Sequence, residues 1–347
     1  MEELKEILLQ HQRRYPKMTL ADLVKLIYQN EFGPGHFITD EEASLARLKN
    51  EAAEIEYTPG ELFEPIGNGL VRLHLGPLGD ALSLQTVNKF FVLTAKDRQG
   101  SIKAFEAKLP LLAELFPGRE LNSFLAEYKG AGYPPMSHSQ TYRQHYLPSY
   151  RIVSSAFALY FPVFERIERL LAQNGSIVIA IDGRSGSGKS SLGRLLQAIY
   201  GCPVIAMDHF FLRPEQRSAA RLGEPGGNID YERFESEVCS RLKSGRPFYY
   251  RIYDCQRNRM APGPKIDPQR LTVVEGCYSH HPALAEHYDL RVFLTVDPDV
   301  QRERLLKRSG PKMLGRFQNE WIPLEELYFS QLNIAQQSDV VVDTGAL

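Results

Sequence analysis

The chain has 347 residues, of which 43% are hydrophobic and 24% are charged, and its formal net charge is −1. This length exceeds the ~100–200 residues of one typical domain, and the composition is that of a folded globular protein, so we predict two domains. Basic residues number 16 in residues 1–150 and 25 in the remainder, against 19 and 23 acidic ones, and this balance argues against a broad basic surface for nucleic acid.

The sequence offers little that indicates secretion or membrane insertion. The N-terminus, MEELKEILLQ, is charged and does not resemble a signal peptide. The longest apolar run, over 152–164, contains two serines and a proline and is shorter than the ~18 residues that a membrane span needs. The four cysteines form no C-x-x-C pair, and so few are typical of a reducing cytosol. We therefore expect a cytoplasmic protein without membrane or nucleic-acid partners, and homo-oligomers are not excluded.

Residues 1–150 predict a mainly helical domain. Thr19 is expected to begin a helix, with Asp22 at the capping-box position and apolar residues recurring every three or four positions until Gly33. Similar patterns predict helices over 41–54, 86–97, 101–115 and 119–128, and a short strand over Leu70–Leu75. This part of the chain resembles no family known to us, and its role is left open.

Two segments of this domain are more polar than packing requires: Gly33–His36, and the stretch from Ser137 to Arg151. The second segment follows two prolines and contains His138 and Tyr142, so it would suit a loop that binds an anionic or hydroxylated ligand. A hydrogen-bonded surface between the domains is the simpler interpretation, and it stays open beside the first.

A helix is predicted to join the two domains within residues 151–175. Its apolar residues have helical spacing from Ser154 to Gln173, and Asn174-Gly175 is a typical C-terminal stop signal. Residues 176–347 would then form the second domain.

The start of the second domain contains the most informative pattern in the chain. Residues 177–182 predict a buried strand, and the residues that follow, GRSGSGKS, match the phosphate-binding pattern G-x-x-x-x-G-K-[ST] between a strand and a helix. Lys189 is expected to reach the β- and γ-phosphates of ATP, and Ser190 to hold Mg²⁺ through its hydroxyl. The nucleotide-binding residues would be Gly183, Arg184, Ser185, Gly186, Ser187, Gly188, Lys189, Ser190 and Ser191.

Further short strands over 203–207, 271–274, 291–296 and 339–342 alternate with helices, which predicts a parallel sheet in a three-layer α/β domain. Ligands of such sheets bind at the carboxyl ends of the strands. Asp208 and Glu275 follow two of these ends, so one is expected to accept a proton from an attacking hydroxyl and the other to position Mg²⁺.

The residues between Asp208 and Glu275 form an insertion of about sixty residues, longer than an ordinary crossover, and it is expected to build an acceptor site. Beyond the next strand, Asp297 caps a helix that carries Arg304 and Arg308. These arginines would either close over the nucleotide as a lid or lie on a solvated charged face.

Taken together, these residues resemble the uridine kinase and phosphoribulokinase superfamily of P-loop kinases, over about residues 176–329. The resemblance implies a P-loop NTPase-type three-layer kinase domain that uses ATP and Mg²⁺. It also implies individual roles for side chains outside the phosphate loop. The general base would be Asp208, the magnesium-side carboxylate Glu275, the contact to ribose hydroxyls Asp230 within Asn228-Ile229-Asp230, the stacking residue Tyr253, and the lid arginines Arg304 and Arg308.

The sequence departs from the family pattern at the acceptor site and the lid. Asn258 stands five residues beyond Tyr253, where pyrimidine nucleoside kinases have a histidine, and Ser309 replaces the aspartate after the second lid arginine. We therefore predict an ATP- and Mg²⁺-dependent kinase for a hydroxyl of a nucleoside-like or other polyol acceptor. Asp230, Tyr253 and Asn258 would bind this acceptor, and uridine and cytidine would be poor ones.

Two other functions stay open at this point. A nucleotide-dependent regulatory or sensor protein would bind ATP without an acceptor, although it would have no use for a base at Asp208. A bifunctional enzyme would add separate chemistry around His138 and Tyr142. The sequence does not decide between ATP and GTP as the donor.

Overall fold

The computed structural model describes residues 1–34, 40–116, 118–242 and 244–347. The chain divides into two compact units, Met1–Leu159 and Tyr160–Leu347. Two residues of the first polar segment, Gly35 and His36, lie outside the described residues. No helix within these ranges is both long and apolar enough to cross a membrane.

The first unit is mainly helical, as predicted, and also contains three strands. Its elements are α1 (Glu2–Arg14), α2 (Leu20–Phe32), α3 (Glu41–Ala52), β1 (Phe63–Gly67), β2 (Leu70–His74), α4 (Leu75–Leu78), α5 (Leu84–Asp97), α6 (Ile102–Lys108), α7 (Pro110–Leu115), α8 (Arg119–Gly130), α9 (Gln140–Tyr146), β3 (Tyr150–Ser154) and α10 (Ser155–Leu159).

Helix α2 begins and ends as the sequence predicts. The Thr19 amide donates to Asp22 Oδ2 over 2.9 Å, and Gly33 ends the helix at a φ of 56°, which a residue without a Cβ adopts most readily. Its apolar face, including Val24 and Ile27, is completely buried in the core of this unit. The helix predicted over 101–115 is instead two helices, because Pro110 has no N–H with which to continue the hydrogen bonding of α6.

Strand β2 pairs with β1 and β3 in an antiparallel sheet of order β1-β2-β3. Ile152 lies opposite Arg72 and Val153 opposite Val71, so residues 151–154 of the predicted joining helix belong to a strand. The remaining helical part is interrupted at Tyr160, just before Pro162 in the first turn of the next helix. Pairing with β2 therefore removes residues 151–154 from the predicted joining helix.

The second unit contains a five-stranded sheet and a separate two-stranded hairpin. Its elements are α11 (Phe161–Gln173), β4 (Ile177–Gly183), α12 (Lys189–Tyr200), β5 (Val204–Ala206), α13 (Ala219–Gly223), α14 (Tyr231–Phe234), α15 (Ser240–Leu242), β6 (Phe248–Asp254), β7 (Arg259–Ile266), β8 (Leu271–Glu275), β9 (Leu290–Thr295), α16 (Pro298–Arg316), α17 (Ile322–Gln331) and β10 (Val340–Asp343).

The five strands are parallel and follow the order β10-β9-β4-β8-β5. The predicted three-layer α/β fold is therefore confirmed. Glu275 lies beside Ile181 of β4 and beside Ala206 of β5, so the residues that follow these strands meet at one edge of the sheet. This edge is where open parallel sheets bind ligands.

Candidate active site

The loop between β4 and α12 has a backbone that requires glycine at its two ends. Gly183 has a φ of 140°, and a Cβ there would lie 2.1 Å from the carbonyl oxygen of Leu294. Gly188 has a φ of 96° and directly precedes α12. These conformations place a glycine-rich loop directly before the N-terminus of α12, which is an arrangement that binds phosphate.

Lys189 is the first residue of α12, and its ammonium lies over the loop. Its Nζ donates to the carbonyl oxygens of Gly183 at 2.6 Å and Arg184 at 3.0 Å. Within the described ranges, none of the carboxylate oxygens lies within 4.0 Å of this nitrogen. Two neutral acceptors leave the positive charge uncompensated at short range, so it can attract a phosphate group.

Ser190 and Glu275 together form a donor set that fits Mg²⁺. The Ser190 hydroxyl lies 3.1 Å from both carboxylate oxygens of Glu275, and neighbouring oxygen ligands in an octahedral Mg²⁺ shell are about 3 Å apart. Burial raises the pKa of Glu275, an effect that the charge of Lys189 opposes. A bound cation would favour the ionised carboxylate in the same way.

Asp208 lies in a short 3₁₀ turn, Met207–Phe210, that follows β5. Its side chain is exposed to the same cavity as Lys189, Ser190 and Glu275. No hydrogen bond or ion pair within the described parts of the chain engages its carboxylate. This acid is therefore available to an incoming hydroxyl, as a general base must be.

These residues line one cavity of about 1370 Å³. Six basic side chains and four acidic ones line it, so it favours an anionic ligand. The buried hydroxyl groups of Tyr160 and Ser187 have no hydrogen-bond partner within the described ranges. A Cβ at Gly188 would lie 3.5 Å from the Tyr160 hydroxyl, so Tyr160 offers a donor beside the phosphate loop. The basic lining residues are Lys189, Arg194, Arg217, Arg304, Arg308 and Arg316, and the acidic ones are Asp208, Glu275, Glu320 and Glu325.

The two predicted lid arginines both line the cavity but differ in their contacts. Arg304 donates to Thr344 O at 2.7 Å and to Thr344 Oγ1 at 3.0 Å, so it is held in place by the chain beyond β10. Arg308 is exposed and lies over the ring of Phe317, with 5.4 Å between its guanidinium carbon and the ring centroid. Helix α16 is interrupted at Gly310, where φ is 76°, so Arg308 lies just before a break in the helix.

The three predicted acceptor contacts are not among the residues that line this cavity. Asp230 is buried, where it caps α14 and accepts from Gln216 Nε2 at 2.9 Å. The Tyr253 hydroxyl donates to the Asn258 side chain across the β6–β7 turn, so these two residues bind each other. From the same segments, Asn228 and Cys255 reach the cavity in their place.

Asp182 was not singled out in the sequence, yet it organises the base of the phosphate loop. This completely buried carboxylate accepts from the amides of Gly183 at 2.6 Å and His280 at 2.9 Å, and from the Tyr328 hydroxyl at 2.9 Å. It therefore joins the end of β4 to the segment after Glu275 and to α17. In the sequence, the one feature that could have indicated this role is the position of Asp182 directly before the first glycine of the phosphate-binding pattern.

The first unit contains a separate buried polar cluster. Asp22 Oδ1 lies 2.9 Å from His138 Nδ1, and His138 Nε2 lies 2.6 Å from the Tyr150 hydroxyl. That hydroxyl also accepts from Gln29 Nε2 at 2.8 Å, and the Arg72 guanidinium lies 4.7 Å from the Tyr150 ring centroid. Carboxylate, imidazole and hydroxyl are thus connected in series, the arrangement by which a base is oriented toward a nucleophile or acid. Tyr142, which the sequence singled out, stacks on His138 at 4.1 Å.

We expect His138 to remain neutral well below neutral pH. Burial lowers its pKa to about 4, and the hydrogen bond to Asp22 only partly opposes this. The folded state therefore favours the neutral imidazole. The contribution of His138 to the stability of the fold is complete above the unfolded pKa of about 6.5, and it is lost as the pH falls toward 4. NMR titration of the His138 ring, assigned with His138→Gln, tests this. A midpoint near 6.5 would contradict it.

A model of a known protein family matches part of the second unit. Residues 178–310 match the model of the Phosphoribulokinase / Uridine kinase family. Similar proteins include a phosphoribulokinase from Synechocystis sp., 29% identical over 143 residues (38% of this chain and 42% of the relative). They also include a shikimate kinase from Rhizobium leguminosarum bv. trifolii, 28% identical over 176 residues (50% and 79%), and a uridine kinase from Streptococcus pneumoniae, 24% identical over 188 residues (50% and 88%).

The predicted family resemblance is thereby confirmed for this segment, and the relatives are small-molecule kinases. The chain spans 42% of the length of the phosphoribulokinase that it matches. The matched residues 178–310 run from β4 to the break in α16 and contain Lys189, Ser190, Asp208 and Glu275.

Proposed function

We propose that the second unit is an ATP- and Mg²⁺-dependent kinase that phosphorylates a hydroxyl of a small molecule. The observation that supports this most is the position of Asp208. Its unpaired carboxylate faces the same cavity as the phosphate loop and the Ser190–Glu275 pair. A protein that only binds nucleotide needs the loop and the metal ligands, whereas phosphoryl transfer also needs a group that receives the proton of the acceptor.

The residues of the cavity then have distinct roles in the reaction. The loop amides and Lys189 would hold the phosphates, while Ser190 and Glu275 would hold Mg²⁺. This ion would neutralise charge on the nucleotide phosphates. Asp208 would accept the proton of the acceptor hydroxyl as its oxygen attacks the γ-phosphorus, and ADP would leave. Arg308, exposed beside the break in α16, would approach the transferred group more easily than Arg304, which Thr344 holds.

The acceptor is proposed to be nucleoside-like or another polyol, and uridine and cytidine are proposed to be poor acceptors. Asn258 stands where pyrimidine nucleoside kinases have a histidine, and it binds Tyr253 instead of lining the cavity, so neither residue offers a pyrimidine the contact of those kinases. A site built for one hydrogen-bond pattern rejects another strongly. The insertion between β5 and β8 lines the cavity with Phe211, Arg217 and Asn228, among others, and these would offer an acceptor an apolar face, a positive charge and an amide.

An ATP-consumption screen of the purified chain tests the proposed function. The acceptors would be nucleosides, sugars, pantothenate-like alcohols, shikimate and glycerate, each with ATP or GTP and Mg²⁺. We expect one class to react with a kcat/KM of ~10⁴ M⁻¹s⁻¹ or more, and uridine to fall well below it. Efficient uridine phosphorylation would refute the acceptor prediction alone. Nucleotide binding without turnover of any acceptor would favour the regulatory or sensor function.

A second candidate function is a bifunctional enzyme with its own site in the first unit. The Asp22–His138–Tyr150 series is the observation that favours it. Any reaction that survives Lys189→Ala but is lost in Tyr150→Phe would belong to this unit. If Tyr150→Phe lowers only the stability of the fold and leaves every measured reaction unchanged, the Asp22–His138–Tyr150 series has a structural role.

A further inference from the structure

Helix α17 binds the phosphate loop and the end of β4 through three of its side chains. Glu325 Oε2 accepts from the Ser185 amide at 2.9 Å, and Glu325 Oε1 accepts from the Ser185 hydroxyl at 2.5 Å. Glu326 receives two hydrogen bonds from the Arg184 guanidinium, at 2.6 and 3.0 Å. Tyr328 completes the set through its bond to Asp182. The loop is thus held from one side by a helix that lies about 140 residues further along the chain.

The two neighbouring glutamates differ in where their charge lies. Glu325 is 4% exposed and lines the cavity, together with Lys189 and Glu275. The side chain of Glu326 is 44% exposed and is not among the residues that line the cavity. One carboxylate is therefore inside the site, and the other pairs with Arg184 outside it.

Glu325 occupies a backbone donor of the phosphate loop. The Ser185 amide belongs to a loop whose N–H groups bind anions, and in this structure its acceptor is a carboxylate of the protein itself. Burial raises the pKa of Glu325, and Lys189 opposes this rise. The interaction with Lys189 indicates that the carboxylate lies within the field of the same cation that is expected to attract phosphate.

A π-helical turn, Phe317–Trp321, leads into α17 without a break. Such turns are rare and occur often at functional sites. Beyond the break at Gly310, α16 continues through this turn into α17, so the helix that holds the loop follows Arg308 along the chain.

We propose that Glu325 is an internal anion of the phosphate loop, which holds the Ser185 amide until the polyphosphate of the nucleotide displaces it. Glu325 is then a positioning residue that sets nucleotide affinity. This inference rests on the proposed function, because it assumes that the loop binds a nucleotide. It goes further in assigning a third carboxylate, besides Asp208 and Glu275, a role that opposes binding.

The proposal predicts that removing the charge of Glu325 increases the affinity for nucleotide. Glu325→Gln keeps the shape of the side chain and an oxygen for the Ser185 amide, but removes the negative charge. Binding of a non-hydrolysable ATP analogue should become about tenfold tighter, because like charges brought together at a binding site are strongly unfavourable. The affinity for ADP, which has one phosphate fewer, should increase less. A purely structural role would instead weaken binding of both nucleotides.

Calorimetric titration with the ATP analogue and with ADP, each with Mg²⁺, measures these affinities in the full chain. Glu326→Gln is the matched control, since it removes the neighbouring charge outside the cavity and should not tighten binding. Glu325→Asp is the charge control, and it should not tighten binding either. Glu325→Ala provides the same test if the glutamine variant does not fold, as judged by circular dichroism.

The outcomes separate this inference from the proposed function. Tighter binding of the ATP analogue in Glu325→Gln, but not in the two controls, supports it. Unchanged or weaker binding in a folded Glu325→Gln, with normal binding by the unaltered chain, overturns the inference and leaves the kinase proposal intact. If the unaltered chain binds neither nucleotide, the proposed function fails and this inference fails with it.

Discussion

Lys189→Ala is expected to abolish phosphoryl transfer while the chain still folds. The ammonium contacts only the carbonyl oxygens of Gly183 and Arg184, so its removal breaks no ion pair within the described residues. Its charge is directed at the position of the phosphates, and loss of one such electrostatic contact costs ~3 kcal/mol or more of transition-state stabilisation. The rate should therefore fall at least about a hundredfold.

The measurement is kcat/KM for ATP consumption with the best acceptor of the screen, beside thermal unfolding followed by circular dichroism. Lys307→Ala is a suitable control, because Lys307 is an exposed lysine of α16 outside the cavity. A rate for Lys189→Ala equal to that of the unaltered chain would refute the kinase proposal.

Asp208→Asn is expected to lower the rate by a factor of ~10²–10⁴, the usual effect of losing a general base. Affinity for the nucleotide should stay within a few-fold of normal, because the carboxylate is not a partner of the phosphate loop or of Ser190. The amide keeps the size of the side chain but cannot accept the proton. The separation of rate from affinity is thus the characteristic result.

Single-turnover rates and nucleotide titrations of the same preparation test this separation. Asp299→Asn serves as the control, since Asp299 is an exposed acid in the first turn of α16 that does not line the cavity. If nucleotide binding in the presence of Mg²⁺ collapses in Asp208→Asn, this acid belongs to the metal site. The proposed roles of Asp208 and Glu275 would then have to be exchanged.

The phosphate loop, the parallel sheet and the two acids at its edge could be predicted because each depends on local or periodic features. Gly183 and Gly188 adopt backbone conformations that other residues avoid, so their spacing is visible in the sequence itself. Asp208 and Glu275 follow strands with clear apolar patterns, and parallel strands bring their carboxyl ends to one edge.

The acceptor contacts were less predictable, because side-chain direction within an insertion depends on how that insertion packs. Tyr253 lies at the end of the hairpin strand β6, and a nearby turn allows it to bind Asn258. Asp230 begins α14 and is used as its cap. The family resemblance implied that these residues contact the acceptor. In the structure, Tyr253 and Asn258 bind each other, and Asp230 binds the backbone of α14.

By itself, the sequence determined that this chain carries a phosphate-binding loop on an α/β sheet, since strand, glycines, Lys189 and Ser190 are consecutive and their geometry is local. Only the tertiary structure decided which distant groups act on that loop. Glu325 and Glu326 look in the sequence like ordinary acids near a helix start, where the helix dipole favours negative charge. The two glutamates differ in exposure because the packing of α17 buries the Glu325 carboxylate against Ser185 and leaves that of Glu326 at the surface. No pattern of neighbouring residues encodes a contact across 140 positions.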